Sequence, residues 1–401
     1  MLGDALEDTR VVLVTGARQC GKSTLVRLSA KGTEAEWRNL DTTATRLAAM
    51  EDPDGFVDVG ELLIVDEIQR VPELMLAIKE VVDRDPRPGR FLLTGSARVL
   101  GLRGLPDALP GRMETIELWP FSQGEIDGTP DGFLDAVFAQ GPDLAHTSQV
   151  TRSDYAERVV RGGFPEAVAR TTARRRERFF DSYVGDLVAR DVSRLSEIER
   201  TAEMHALLRL LSARSGQLIN ASSLADELSI SARTVQRYLG LLEEVFLVKR
   251  IPAWSRNLST RAVATPKLAF VDSGIAANLI SADTRSLLRP TGQFGPLMEG
   301  FVLMELARQL TWSQERAELF HYRTKDKVEV DAVLENRRGQ VVGIEVKAAS
   351  TVRPGDFRGL RHLADRLGDD FLTGMVLYTG TQTLSFGPRL RAMPISALWE
   401  V

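Results

Sequence analysis

A single cysteine, Cys20, occurs among 401 residues. No intramolecular disulfide can form and no multi-cysteine zinc site can exist, which suits a reducing cytoplasm. Long apolar runs are also missing. The strongest are short segments such as residues 62–65, far below the ~20 apolar residues that a membrane-spanning helix needs. Residues 1–10 carry Asp4, Glu7 and Asp8 and lack the basic flank and apolar stretch of an export signal. Neither charge sign is in large excess: 51 Lys and Arg against 55 Asp and Glu leave a net charge of -4. A nucleic-acid partner would therefore have to meet a local basic face. What remains is a folding composition, 43% hydrophobic and 26% charged, in a chain too long for one ordinary core. A soluble, cytoplasmic protein of two or three domains is expected.

Residues 11–15 form a short apolar, β-branched run, and a helical pattern starts at Lys22 with Leu25, Val26 and Leu28 partly inward. Between them, Gly16-Ala17-Arg18-Gln19-Cys20-Gly21-Lys22-Ser23 matches the phosphate-binding loop pattern G-x-x-x-x-G-K-[ST] without a mismatch, followed by Thr24. The glycines let successive backbone N–H groups turn toward phosphates, and the helix start adds partial positive charge. Lys22 is placed to reach the β- and γ-phosphates of ATP, and the Ser23 hydroxyl to ligate magnesium. A second apolar run, 62–65, ends in Asp66-Glu67, the form of a Walker B strand. There Asp66 would hold Mg2+ and Glu67 would orient and deprotonate the attacking water. A third run, 91–94, puts Thr94 and Ser96 at its tip as γ-phosphate sensors or water-positioning groups. Alternation of these runs with a helical segment at 73–82 predicts a parallel sheet with helices on both faces. Arg112, ahead of a strand-like segment at 113–118, and Arg98 are candidates for an arginine supplied across a subunit interface. Arg18 is a third. Cys20 beside the phosphates reads as a buried inert thiol or as a site where oxidation would block nucleotide.

Several further segments complete a resemblance. Residues 16–24, 63–69 and 93–97, Gly111-Arg112 with 118–122, Gly162-Gly163-Phe164-Pro165-Glu166, 270–276, 299–306, Glu329-Val330-Asp331 and Glu345-Val346-Lys347 resemble, in order, a group of bacterial and archaeal ATP-binding proteins. That group joins an AAA-type ATPase domain to a C-terminal domain of unknown function with a nuclease-like fold. The resemblance implies an AAA-type P-loop α/β domain, a winged-helix unit and a restriction-nuclease-like α/β domain. Fifteen residues precede Gly16, whereas members carry a few tens, so an N-terminal element is expected to be missing or to lie upstream.

Within residues 201–251, Ser222 is a plausible N-cap for a helix with Leu224, Ala225 and Leu228 inward. A turn at 229–231 leads to a second helix bearing Val235, Leu239 and Leu242. This is helix-turn-helix spacing. Arg233, Gln236 and Arg237 would face a DNA major groove, with Lys249 and Arg250 as a wing on phosphate. A winged helix used only for packing is the alternative. In the last third, Asp331 is placed at the end of one strand, with Glu345 and Lys347 on one face of the next. Two carboxylates and a lysine so placed are the PD-(D/E)XK pattern, able to hold magnesium and cleave a phosphodiester. Glu299 and Glu329 are possible additional acids. The alternative is a salt-bridge ladder between strands. Arg174, Arg175, Arg176 and Arg178 form a basic cluster on a helix, read as a phosphate-tracking face or a solvated one.

The expected organisation is an ATPase domain at 1–125, a helical connecting region at 126–200, a winged-helix unit at 201–260 and a nuclease-like domain at 261–401. The expected function is Mg-dependent ATP binding and hydrolysis that drives a conformational switch controlling a nuclease-like, DNA-associated domain, in a homo-oligomer. Two alternatives stand beside it: a nucleotide-dependent regulator that binds DNA or protein and has an inactive C-terminal domain, and an assembly factor that remodels a protein partner.

Overall fold

Strand β1 (Val11–Gly16) is buried along its whole length, because it sits inside a five-stranded parallel sheet. A computed structural model describes the chain except for residues 97–108, 130, 193–200, 258–260 and 262–264; Arg98 thus lies outside the described residues. The described chain divides into two units, Met1–Pro120 with Glu244–Phe246, and Phe121–Glu243 with Leu247–Val401.

In the first unit the strands are β1, β2 (Ala35–Asn39), β3 (Leu62–Asp66), β4 (Phe91–Gly95) and β5 (Met113–Leu118). Their order across the sheet is β2-β3-β4-β1-β5, with every pairing parallel. Side chains alternate between two apolar layers. Val11, Leu13, Leu63, Val65, Phe91 and Leu93 pack with Ile78 and Val81 of helix Leu74–Arg84. Val12, Val14, Ile64 and Leu92 pack with Val26 of helix Lys22–Ser29 and Leu2 of helix Leu2–Asp8. Each such fully buried aliphatic side chain contributes roughly 1.5–3 kcal/mol, which stabilises the centre of the sheet. Leu28, expected inward, is instead 66% exposed. Strand β2 lacks an apolar run because it is a half-exposed edge, and it was not expected from the sequence.

The second unit begins with helices, among them Arg152–Arg161, Ala173–Asp186, Thr201–Ala213, Ala221–Leu228 and Ala232–Glu244, and continues into an antiparallel pair, β6 (Val248–Ile251) and β7 (Lys267–Phe270). Asn220, rather than Ser222, caps helix Ala221–Leu228, its side chain accepting from the N–H groups of Ser222 (2.9 Å) and Ser223 (3.2 Å). The turn after it uses Ser229 in the left-handed region, and Ser231 accepts the Thr234 N–H at 3.0 Å to start the next helix.

A mixed six-stranded sheet follows, ordered β12-β13-β11-β10-β9-β8, from β8 (Ala317–Arg323), β9 (Glu329–Asn336), β10 (Val341–Lys347), β11 (Phe371–Tyr378), β12 (Leu384–Ser385) and β13 (Leu390–Pro394). Helix Arg358–Leu367 lays Leu360, Leu363 and Leu367 on it at helical spacing. Helix Phe294–Gln309 is buried almost all round. Among the described residues no helix is long and apolar enough to cross a membrane.

That buried helix carries Glu305 inside the unit. Its carboxylate accepts the Gln123 N–H at 2.9 Å and an Arg308 guanidinium N–H. Burial pushes Glu305 up to about 7; Arg308 and the Gln123 N–H oppose the rise, while Asp131 and Glu125 add to it. A folded pKa above the unfolded value means the folded state binds the proton more tightly, so this contribution is full below about pH 4.5 and is lost as pH rises through 7. Glu305→Gln should therefore flatten the fall in unfolding free energy between pH 5 and pH 7.5, measured by urea titration, by an amount on the order of 2 kcal/mol. Parallel wild-type and variant profiles would contradict this.

Candidate functional site

The loop after β1 is shaped by what surrounds it. A Cβ on Gly16 would lie 2.1 Å from the Leu118 carbonyl oxygen of β5, so only glycine fits there. Gly21, at φ +105°, occupies a conformation that favours glycine and leads directly into helix Lys22–Ser29. Lys22 is 5% exposed, and its ammonium donates to the carbonyls of Gly16 (3.0 Å) and Ala17 (2.7 Å). A buried cation held by carbonyl oxygens, beside a helix start, is a site for an anion. Cys20 is buried with its thiol toward the Leu118 oxygen, and burial pushes its pKa up, which makes it the inert thiol of the two readings.

Because β4 lies between β1 and β3, the tips of all three converge. The Ser23 hydroxyl donates to both Asp66 oxygens, at 2.9 and 3.0 Å. The Thr94 hydroxyl donates to Asp66 and accepts the Glu67 N–H at 3.0 Å. Ser96 donates to the Glu67 carboxylate at 2.8 Å, and Gln69 donates to it as well. Glu67 itself takes a left-handed conformation, φ +62°, which is uncommon for a residue with a side chain and is typical of functional positions. Thr94 is fully buried and bonds both Asp66 and the Glu67 N–H; Ser96 is the hydroxyl that touches the Glu67 carboxylate. The oxygens of Ser23 and Asp66 are the hard donors that magnesium prefers, so the residues fit MgATP.

Arg112 is elsewhere. It immediately precedes β5, at the amino-terminal edge of the sheet, and pairs with Asp83; the loop at 16–23 follows the carboxyl-terminal end of β1. It is therefore not part of the site on its own chain.

In the second unit, Asp331 is the third residue of β9 rather than its end, and Glu345 and Lys347 lie on the adjacent antiparallel β10. The unexpected member is Lys267, which opens β7. Its buried ammonium donates to Asp331 at 2.9 Å and to the Glu299 carboxylate. The other Asp331 oxygen accepts the Val346 N–H at 2.9 Å, and Lys347 donates to Glu345 at 2.8 Å. Burial alone would raise Asp331, but Lys267 and the Val346 N–H hold it below the usual carboxylate range. Glu299 is pushed up to about 8, first by burial and then by Asp331. Glu345 is pushed up to about 7 by the same two causes. Glu329 turns away to pair with Arg323. Among the described residues no group of three or more His, Cys, Asp or Glu is arranged to hold a metal, and one oxygen of Asp331, expected to ligate magnesium with Glu345, is taken by Lys267. The Lys267 ammonium lies between Glu299 and Asp331.

Arg233, Gln236 and Arg237 are exposed on helix Ala232–Glu244. Lys249 and Arg250 lie within β6 and are half-buried; Arg250 pairs with Glu243 at 3.3 Å, so it is not a free wing residue. Arg174, Arg175 and Arg178 are exposed, while Arg176 is half-buried and donates to the Arg170 carbonyl at 3.2 Å. Two residues escaped the sequence reading. Gln69 follows Glu67 by two, and only the local turn brings it back; Lys267 opens an apolar run as a lone charge, and its partners are far away in sequence.

Residues 8–127 match an AAA domain, residues 152–286 a domain of unknown function (DUF8612) and residues 294–398 another (DUF4143). The first unit thus carries an AAA-type ATPase domain. An uncharacterized protein of Mycobacterium tuberculosis is 30% identical over 363 residues, covering 89% of this chain and 74% of that protein. The chain belongs to the same family as that mycobacterial protein. An uncharacterized protein of Haemophilus influenzae is 22% identical over 319 residues, with 78% and 72% covered. Among solved structures, the Walker-type ATPase of Pyrococcus abyssi is similar at 15% identity and a TM-score of 0.42, over 69% of this chain and 93% of that one.

The geometry separates binding from turnover. Lys22→Ala should abolish ATP binding, whereas Glu67→Gln should bind ATP and lose roughly a hundredfold or more in turnover. Equilibrium binding of a fluorescent ATP analogue, read beside phosphate release, checks both; normal turnover in Glu67→Gln would refute the role of that carboxylate.

Proposed function

We propose that this protein is a magnesium-dependent ATPase whose nucleotide state switches a DNA-associated C-terminal unit. The observation that carries the reading is the single network that joins Ser23, Asp66, Thr94, Glu67 and Ser96. Magnesium, held by Ser23 and Asp66, would neutralise charge on the phosphate oxygens. Lys22 leaves the loop carbonyls for the β- and γ-phosphates. Glu67 orients the attacking water and takes its proton, which requires it to leave Ser96 or to share that hydrogen bond with the water. Ser96 thereby links the γ-phosphate end of the site to the base. Arg112 lies at the far edge of its own sheet; as an arginine finger it would serve the site of another copy, and the active species in this reading is a homo-oligomer.

Helices Ala221–Leu228 and Ala232–Glu244 with the β6–β7 pair support a winged-helix reading, in which exposed Arg233, Gln236 and Arg237 would meet DNA. The order of β9 and β10, with Asp331 facing Glu345-Val346-Lys347, supports a PD-(D/E)XK nuclease-like fold. A controlled nuclease is one use of that fold. The position of Lys267 favours the second reading, in which the domain does not cleave and the protein is a nucleotide-dependent regulator.

Mixing Arg112→Ala subunits with Lys22→Ala subunits should restore part of the turnover that each lacks alone; an active monomer, by mass measurement in ATP, would rule the shared site out. Arg233→Ala with Arg237→Ala should weaken duplex DNA binding about tenfold and lower its salt dependence. Unchanged affinity and salt slope would assign the helix to packing.

A further inference from the structure

The carboxylates of Glu299, Asp331 and Glu345 come from helix Phe294–Gln309, β9 and β10, and they meet two ammonium groups, Lys267 and Lys347. The Lys267 side chain is 4% exposed and bridges Glu299 and Asp331. Asp331 has both oxygens engaged, one by Lys267 and one by the Val346 N–H. Glu345 keeps one buried oxygen, Oε2, without a hydrogen-bond partner.

A divalent cation in this centre would need several carboxylate oxygens at about 2.0–2.6 Å. Two of the three available groups already point at an ammonium that cannot leave, because it is anchored to β7 and enclosed. An ion there would also face a buried positive charge in a medium that screens it poorly. The metal expected from the Asp331, Glu345 and Lys347 pattern therefore does not fit.

We infer that Lys267 is the resident cation of this centre, occupying the place a divalent metal would take, so that the wild-type domain binds no such metal and removal of the lysine opens a latent metal site. The inference deepens the regulator reading and rests on the same domain. Without Lys267, the carboxylates repel one another and need a cation from solution. The unpartnered Glu345 oxygen is then a ready ligand.

The test uses full-length, nucleotide-free protein and Mn2+ as the probe, with bound manganese counted by electron paramagnetic resonance and stability followed by thermal melting. Any ion held at Asp66 is common to all variants. Wild type and Asp331→Asn should hold the same amount of Mn2+. Lys267→Met should hold about one more ion per chain and melt on the order of 5 °C higher at a hundredfold excess over its dissociation constant; Lys267→Met with Glu299→Gln should lose both gains. If Lys267→Met folds only when Mn2+ is present, the latent site is likewise supported. The inference is overturned if Asp331→Asn removes an ion that wild type holds, or if Lys267→Met folds without gaining one. Cleavage of nucleic acid by wild type with no ion bound at Asp331 would instead sink the regulator reading and leave this inference standing.

Discussion

One hydroxyl couples the two acidic residues of the ATPase site. Thr94 donates to Asp66 and accepts the Glu67 N–H, so the two acidic residues, proposed to hold the metal and to activate water, are fixed against the same atom. That contact exists only because β4 lies between β1 and β3 in a wholly parallel sheet. The apolar layers on both faces hold the strands in register, and the register sets which residues reach the tips. Catalysis by positioned charges needs groups that do not reorganise as the reaction proceeds; in the proposed mechanism the buried strands carry these groups, and Lys22, Glu67 and Ser96 exchange partners.

A different constraint governs the second unit. Carboxylates taken out of water must be paired, protonated or bound to a cation. Lys267 and Lys347 meet that demand from within the chain, and the remaining imbalance falls on Glu299 and Glu345, whose pKa values rise. In this chain the carboxylates form a closed ionic cluster with lysines of β7 and β10. Function has to be read from the site and not from the arrangement of strands.

The legible parts of the sequence were those with local signatures. The loop at 16–23 and the acidic end of β3 announce themselves because glycine, lysine and carboxylate positions are fixed by backbone geometry within a few residues. The strand at 113–118 and the two helices around Ser229 were equally visible from apolar spacing. Strand β2 was not, since Glu36 and Arg38 on an exposed edge carry no period. The cap at Asn220 was displaced by two residues to Ser222, because both side chains can cap and only the backbone decides. Lys267 was beyond reach for another reason: its partners lie 32 and 64 residues away, and nothing local says that three elements will meet there. The roles of Thr94 and Gln69 likewise depend on which strand tips become neighbours.

The central claim is that this site turns over ATP through a magnesium-dependent reaction on an assembled network. The most direct measurement is phosphate release from ATP by the wild-type chain at rising protein concentration, with magnesium and with chelator, beside the count of nucleotide bound per chain. The account predicts one ATP per chain, phosphate release only with magnesium, and turnover per chain that rises as the oligomer forms. Stoichiometric ATP binding with no phosphate release at any concentration would contradict it.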